Sequence, residues 1–241
     1  MIDYGLLMSM IVGFGVPSLL VHWWPLSSYK GPVGFLDVAL GPAFAGLAVG
    51  RLVALALDDP SSIGSVSDML IIRSGVEFWA GVVAAAGLVA WSARRDGLSP
   101  FTRLADLAPL AMIGYASYEA ACVFRDGCFG PDSAIGLRPP GLSTTMLPIG
   151  LFMAAAVVVA AFGVRRLSRR GVQPSIVVLC AAVSVATVRA IGSIWLPHVG
   201  DGLTRQHLTS IGVVLLSAAG LVGVLVATQQ RSADRTRVSG S

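Results

Sequence analysis

Apolar and polar positions are segregated into long blocks rather than alternating with a short period. Apolar stretches fall near 3–22, 35–57, 75–93, 104–123, 145–164, 173–196 and 207–228. Each is about 20 residues long, enough at a rise of about 1.5 Å per residue to cross a hydrocarbon core of about 30 Å. The pattern predicts an all-α, polytopic integral membrane protein. A single domain of seven transmembrane helices is expected over 1–228, followed by a polar cytoplasmic tail, 229–241, with no regular structure. The linkers carry turn chemistry: Asp58-Asp59-Pro60 after the second stretch, Arg94-Arg95-Asp96-Gly97 after the third, and Pro139-Pro140-Gly141 before the fifth.

Composition supports lipid as the solvent. Of the 241 residues, 55% are hydrophobic and 12% charged, whereas a soluble domain carries about 25% charged residues. The start, Met1-Ile2-Asp3-Tyr4, lacks the basic n-region of a signal peptide, so the first apolar stretch is expected to be a retained helix.

The net charge of +4 does not point to nucleic acid, because the basic residues flank apolar runs, where they act as topology signals. On one alternating side lie Lys30, then Arg94, Arg95 and Arg103, then Arg165, Arg166, Arg169 and Arg170, then Arg231, Arg235 and Arg237. The other side holds Arg73, Arg125, Arg138 and Arg205. This bias places the N-terminus outside and the C-terminus in the cytoplasm.

Four ionisable residues fall inside or at the edge of spans: Arg51, Glu77, Glu119 and Arg189. Counting along the helices puts all four within roughly 5–11 Å of the outer boundary. Charges at membrane depth face the bundle interior or water. Two readings follow: a salt-bridge layer that locks helices together, or a polar cavity in which arginines hold a phosphate or lipid headgroup. Arg73 and Glu77, four residues apart, also suit a simple surface pair.

Cys122 and Cys128 flank the outer end of the fourth span. Their spacing permits a disulfide in an oxidising compartment, or two packed thiols. No CxxC pair is present for thiol–disulfide exchange, and Cys180 reads as a core residue. His207 opens the seventh span beside Arg205 and Gln206. The three histidines are too scattered to predict a metal site, and neither a cofactor motif nor a P-loop occurs.

From Arg73 to Gly130 the chain resembles the prolipoprotein diacylglyceryl transferases. Ile72-Arg73-Ser74-Gly75-Val76-Glu77-Phe78-Trp79-Ala80-Gly81 stands where that family has R-x-G-G-x-S-F-H-G-G. Asp106-Leu107-Ala108-Pro109 matches its D-L-x-A-P. Glu119-Ala120-Ala121-Cys122 through Gly127-Cys128-Phe129-Gly130 is similar to its cysteine-bearing G-R-x-G-C-F-x-x-G-C. Looser matches are Tyr4-Gly5-Leu6, Gly50-Arg51-Leu52, Arg189 in the sixth span, and Gln206-His207-Leu208-Thr209-Ser210 before the last. Four places depart, one of them the stretch before the fifth span, where the family's H-P-x-Q-L-Y-E is Ser143-Thr144-Thr145-Met146-Leu147-Pro148-Ile149. Trp79 replaces the family's histidine, Glu119 replaces an arginine, and Ser193 replaces an acidic residue one turn after Arg189.

The resemblance implies a multi-pass protein of the bacterial plasma membrane. Its implied reaction moves a diacylglyceryl group from phosphatidylglycerol to a lipoprotein cysteine at the outer leaflet, with prolipoprotein signal peptides as partners. It assigns Glu119, Arg189 and Tyr4 to catalysis, and Arg51, Arg73, Glu77, Trp79, Gly130 and His207 to lipid binding. The departures keep a non-catalytic lipid- or protein-binding relative as the alternative. A thiol oxidoreductase using Cys122 and Cys128 stands third.

Overall fold

Long apolar blocks form helices, even across the internal prolines Pro17, Pro42 and Pro109, because in lipid each backbone N–H and C=O must be satisfied within its own segment. The computed structural model describes residues 4–58, 60, 75–124, 129–139, 143–196 and 203–238. Among them are seven α-helices: α1 Tyr4–Leu20, α2 Phe35–Asp58, α3 Phe78–Arg95, α4 Pro100–Ala120, α5 Ile149–Arg169, α6 Pro174–Gly192 and α7 Arg205–Val238. A 3₁₀ turn, Ala121–Phe124, extends α4, and a short strand, β1 Asp132–Leu137, bridges to Met146 before α5.

The helix ends follow local chemistry. Pro100 and Pro174 occupy first positions, where the missing N–H costs nothing. Gly97 and Gly171, with φ of 73° and 70°, stop α3 and α5. In both turns the following N–H reaches back over the last turn, Leu98 to the Ala93 carbonyl at 2.9 Å and Val172 to that of Leu167 at 3.3 Å.

Among the described residues, four helices are long and apolar enough to cross a membrane: α2, α5, α6 and the part of α7 from Arg205 to Gln230. The protein is therefore helical with the character of a membrane-embedded chain. α5 runs past the end of its apolar stretch through Arg165, Arg166 and Arg169, and α3 through Arg94 and Arg95. Arginine is a good helix former, so a basic flank prolongs a helix that hydropathy alone would end. The same reason carries α7 to Val238, where a tail without regular structure was expected from 229. Gln and Arg make up half of that segment, and no proline or glycine interrupts it before Val238.

The most central helix carries buried charge. α4 carries Arg103, Asp106 and Glu119, yet it packs against α1, α3, α5 and α6. Lipid cannot solvate these groups, so the helix that bears them is placed inside the bundle. Its Leu110, Met112, Ile113 and Ala116 join Val157 and Ala161 of α5 and Val177 and Ala181 of α6 in one core.

Two helix pairs approach through glycine. A Cβ at Gly46 of α2 would lie 2.8 Å from the Gly81 carbonyl of α3, and one at Gly81 equally close to that of Gly46. Gly114 of α4 has the same relation to Gly13 of α1, at 2.9 Å. Small residues at such crossings let backbones touch, the usual source of helix association in lipid.

Candidate functional site

Because successive helices run in opposite directions, the starts of α1, α3, α5 and α7 share one end of the bundle with the ends of α2, α4 and α6. Most residues singled out from the sequence fall there. At the end of α6, Arg189 donates through Nη1 to the Tyr115 hydroxyl at 2.8 Å, and the same nitrogen lies 3.7 Å from Glu119. Tyr115 and Glu119 are four residues apart on α4, hence on one face. The Arg189 guanidinium carbon sits 3.9 Å from the centroid of the Phe78 ring at the start of α3. Three helices thus hold one arginine: a carboxylate and a phenol on one side, an aromatic face on the other.

Trp79, next to Phe78, has its ring 5.0 Å from that neighbour's, nearly perpendicular. Its indole Nε1 donates to Ser210 Oγ of α7 at 3.0 Å. One turn before Ser210 lies His207, buried to 8% exposure, with Nδ1 2.7 Å from Ser193 Oγ. Ser193 caps α6 one turn beyond Arg189. Contacts between helices, with one helix turn joining Ser210 to His207, close a ring through α3, α6 and α7: Arg189, Phe78, Trp79, Ser210, His207, Ser193 and back to Arg189.

Beside this ring, Arg205 fixes three helix ends. Nη1 and Nη2 donate to the two Asp58 oxygens at 2.8 and 2.9 Å, and Nε donates to Glu77 Oε1 at 2.7 Å. Glu77 is therefore engaged by α7. The bidentate fork suits a planar guanidinium and would not survive exchange for lysine. Arg51, 6% exposed, donates to the Gly75 carbonyl at 3.2 Å, close to where the Glu77 N–H meets the Gly50 carbonyl at 3.0 Å.

Other expected site residues lie apart. Tyr4 is 73% exposed at the first residue of α1 and makes no hydrogen bond to Arg189 or Glu119. Gly130 lies on the segment before β1, its N–H donating to the Leu147 carbonyl at 2.7 Å, and a Cβ there would strike Ile149. Its role is to let that segment lie against α5. Arg73, Cys128 and the side chain of Cys122 lie outside the described residues, and with them the disulfide expected from the sequence. Among the described residues no three His, Cys, Asp or Glu side chains gather closely enough to hold a metal ion.

The opposite end holds a polar node that the sequence reading missed, having placed the buried charges at one end only. Asp106, 7% exposed, accepts from the Ser28 N–H and hydroxyl at 2.8 Å each and from Ser27 Oγ at 3.2 Å. Arg103, 2% exposed, donates to the Ser28 carbonyl at 3.1 Å, pairs with Asp96 at 2.7 Å and lies 4.3 Å over the Tyr29 ring. Burial raises the Tyr29 pKa above its ordinary value, and Arg103 partly opposes the rise. Ser27, Ser28 and Tyr29 each find a partner on α4, so this node clamps the α1–α2 loop, with Arg103 Nε buried without a hydrogen-bond partner among the described residues. Three i, i+3-type positions at the start of α4 signal it in the sequence: Arg103, Asp106 and Leu107, charge turned toward an apolar core.

Neither protein-family models nor curated proteins give a match to this chain.

Proposed function

We propose that this protein is a seven-span membrane enzyme of the diacylglyceryl transferase type, acting on phosphatidylglycerol at the outer leaflet of a bacterial plasma membrane. In this reading its N-terminus is outside and its C-terminus cytoplasmic, as the arginine bias of the loops favours. One observation carries it. Arg189 uses Nη1 for Tyr115 and Glu119, while its Nε is buried without a hydrogen-bond partner among the described residues. A buried guanidinium with donors to spare is suited to a phosphate. The ordered motif matches from Tyr4 to Ser210 support the same reading.

In that mechanism Arg189 holds the headgroup phosphate while Phe78 and Tyr115 fix the guanidinium plane. A thiol of the acceptor attacks the glyceryl carbon, the carbon–oxygen bond to phosphate breaks, and glycerol phosphate leaves beside the arginine. Glu119 limits the net positive charge of the empty site.

Incubating purified protein with phosphatidylglycerol and a lipobox-cysteine peptide tests the proposal. A peptide mass increased by one diacylglyceryl unit in thioether linkage is expected. No such product, under conditions in which a standard enzyme of that family works, overturns it. A second reading, a lipid-binding relative without turnover, draws on the Trp79–Ser210 bond and on the pairing of Arg189 with Glu119. It requires lipid retention with no product in the same assay.

A further inference from the structure

We infer that His207 is the general base of this site, held in the reactive tautomer by Ser193. The inference rests on the transfer reading above and names the group that takes the proton in it.

The hydrogen-bond order fixes the tautomer. Ser193 Oγ lies 2.9 Å from the Ala190 carbonyl and 2.7 Å from His207 Nδ1. A hydroxyl has one proton to give. At the end of α6 the Ile194 N–H turns back to the Ile191 carbonyl at 3.2 Å, and the Ser193 N–H bonds to that of Arg189 at 2.9 Å. The Ala190 carbonyl is one of the orphans of a helix C-terminus, and the Ser193 hydroxyl satisfies it. Ser193 Oγ then accepts from Nδ1–H, which leaves the lone pair on Nε2. Among the described residues Nε2 makes no hydrogen bond, so the basic nitrogen is the uncommitted one.

Among the described residues, the charges buried at this end are already committed to one another. Among the described residues, four carboxylates lie at this end: Asp58, Glu77 and Glu119 at the ends of α2, α3 and α4, and the exposed Asp132 at the start of β1. The first two are bonded to Arg205 and the third is paired with Arg189. Arg51 on α2, bonded to the Gly75 carbonyl, and Arg138 after β1 are further cations among the described residues of this end. The imidazole is the buried titratable base here without an ionic partner among the described residues. It also stands beside the right helix face: Ser193 is one turn from Arg189, and Ser210, one turn from His207, holds Trp79.

The step balances as follows. Nε2 takes the thiol proton and becomes the second N–H of an imidazolium. The sulfur forms a bond to the glyceryl carbon, and the carbon–oxygen pair leaves with the phosphate toward Arg189. The imidazolium proton then passes to solvent.

The test is transfer by the full-length protein in phosphatidylglycerol vesicles, measured with the lipobox-cysteine peptide between pH 5 and pH 9. His207→Gln is expected to lose about 10²–10⁴-fold in turnover while retaining phosphatidylglycerol and the wild-type melting temperature. Ser193→Ala is expected to displace the acidic limb of the pH–rate profile, which a merely structural serine would not do. Wild-type protein that makes no product overturns the transfer reading and the base role together. Product from wild type, with His207→Gln equally fast and equally pH-dependent, overturns the base role alone. Should His207→Gln fail to fold, an unchanged profile for Ser193→Ala overturns it instead.

Discussion

The Trp79 indole donates to Ser210 Oγ at 3.0 Å, which ties the first turn of α3 to the second turn of α7. Away from this end the two helices scarcely touch, since α7 packs mainly on α6. Ser210 in turn donates to the Gln206 carbonyl at 2.8 Å, so the hydroxyl is both donor and acceptor. Trp79→Phe keeps the ring and removes the donor; Ser210→Ala removes the acceptor. A double-mutant cycle in detergent or bicelles is expected to give a coupling of about 0.6–1.7 kcal/mol. A coupling of zero by thermal unfolding would show that the bond does not join the helices.

Arg189 and Glu119 depend on each other. Removing the carboxylate's partner from a largely buried pair costs about 3 kcal/mol, so Arg189→Ala is expected to lower the melting temperature strongly. Adding Glu119→Gln to that variant removes the stranded charge and restores part of the loss. Equal melting temperatures for the single and double variants would contradict the pairing.

At the other end, Asp106→Ala strands the Ser28 N–H and two hydroxyls, and is expected to cost about 3 kcal/mol, the range for breaking a buried polar network. The change is local to the α1–α2 loop. Faster amide exchange over residues 27–30, with α6 and α7 unaltered, is the expected signature in hydrogen-exchange mass spectrometry.

The crossing of α2 on α3 makes opposite predictions for two glycines. Gly81→Leu drives a side chain into the Gly46 backbone and is expected to cost about 1–3 kcal/mol. Gly87, on the same helix, has open space where a Cβ would go. Gly87→Ala is expected to be neutral or to stabilise by about 0.5–1 kcal/mol. Melting temperatures of the two variants distinguish a close crossing from a loose one.

The sequence by itself determined where the helices lie, though not how far α7 runs, because block-wise hydropathy and turn residues act locally. Gly97, Gly171, Pro100 and Pro174 mark helix ends whatever the rest of the chain does. It also singled out Arg51, Glu77, Glu119 and Arg189 as costly charges, since placing ions in an apolar run is a local fact. What it left open was the pairing. Glu77 had Arg73 four residues away in the chain, but the tertiary structure brings it Arg205 from α7, 128 positions on. Arg103 and Asp106 read as a loop charge and a motif residue, and only the central position of α4 turned them into the clamp on Ser27 and Ser28. The Ser193–His207 bond likewise joins two helix ends across a turn. Pairing energies depend on distance and on the solvent excluded between groups, and both are set by how helices pack rather than by neighbours in the chain.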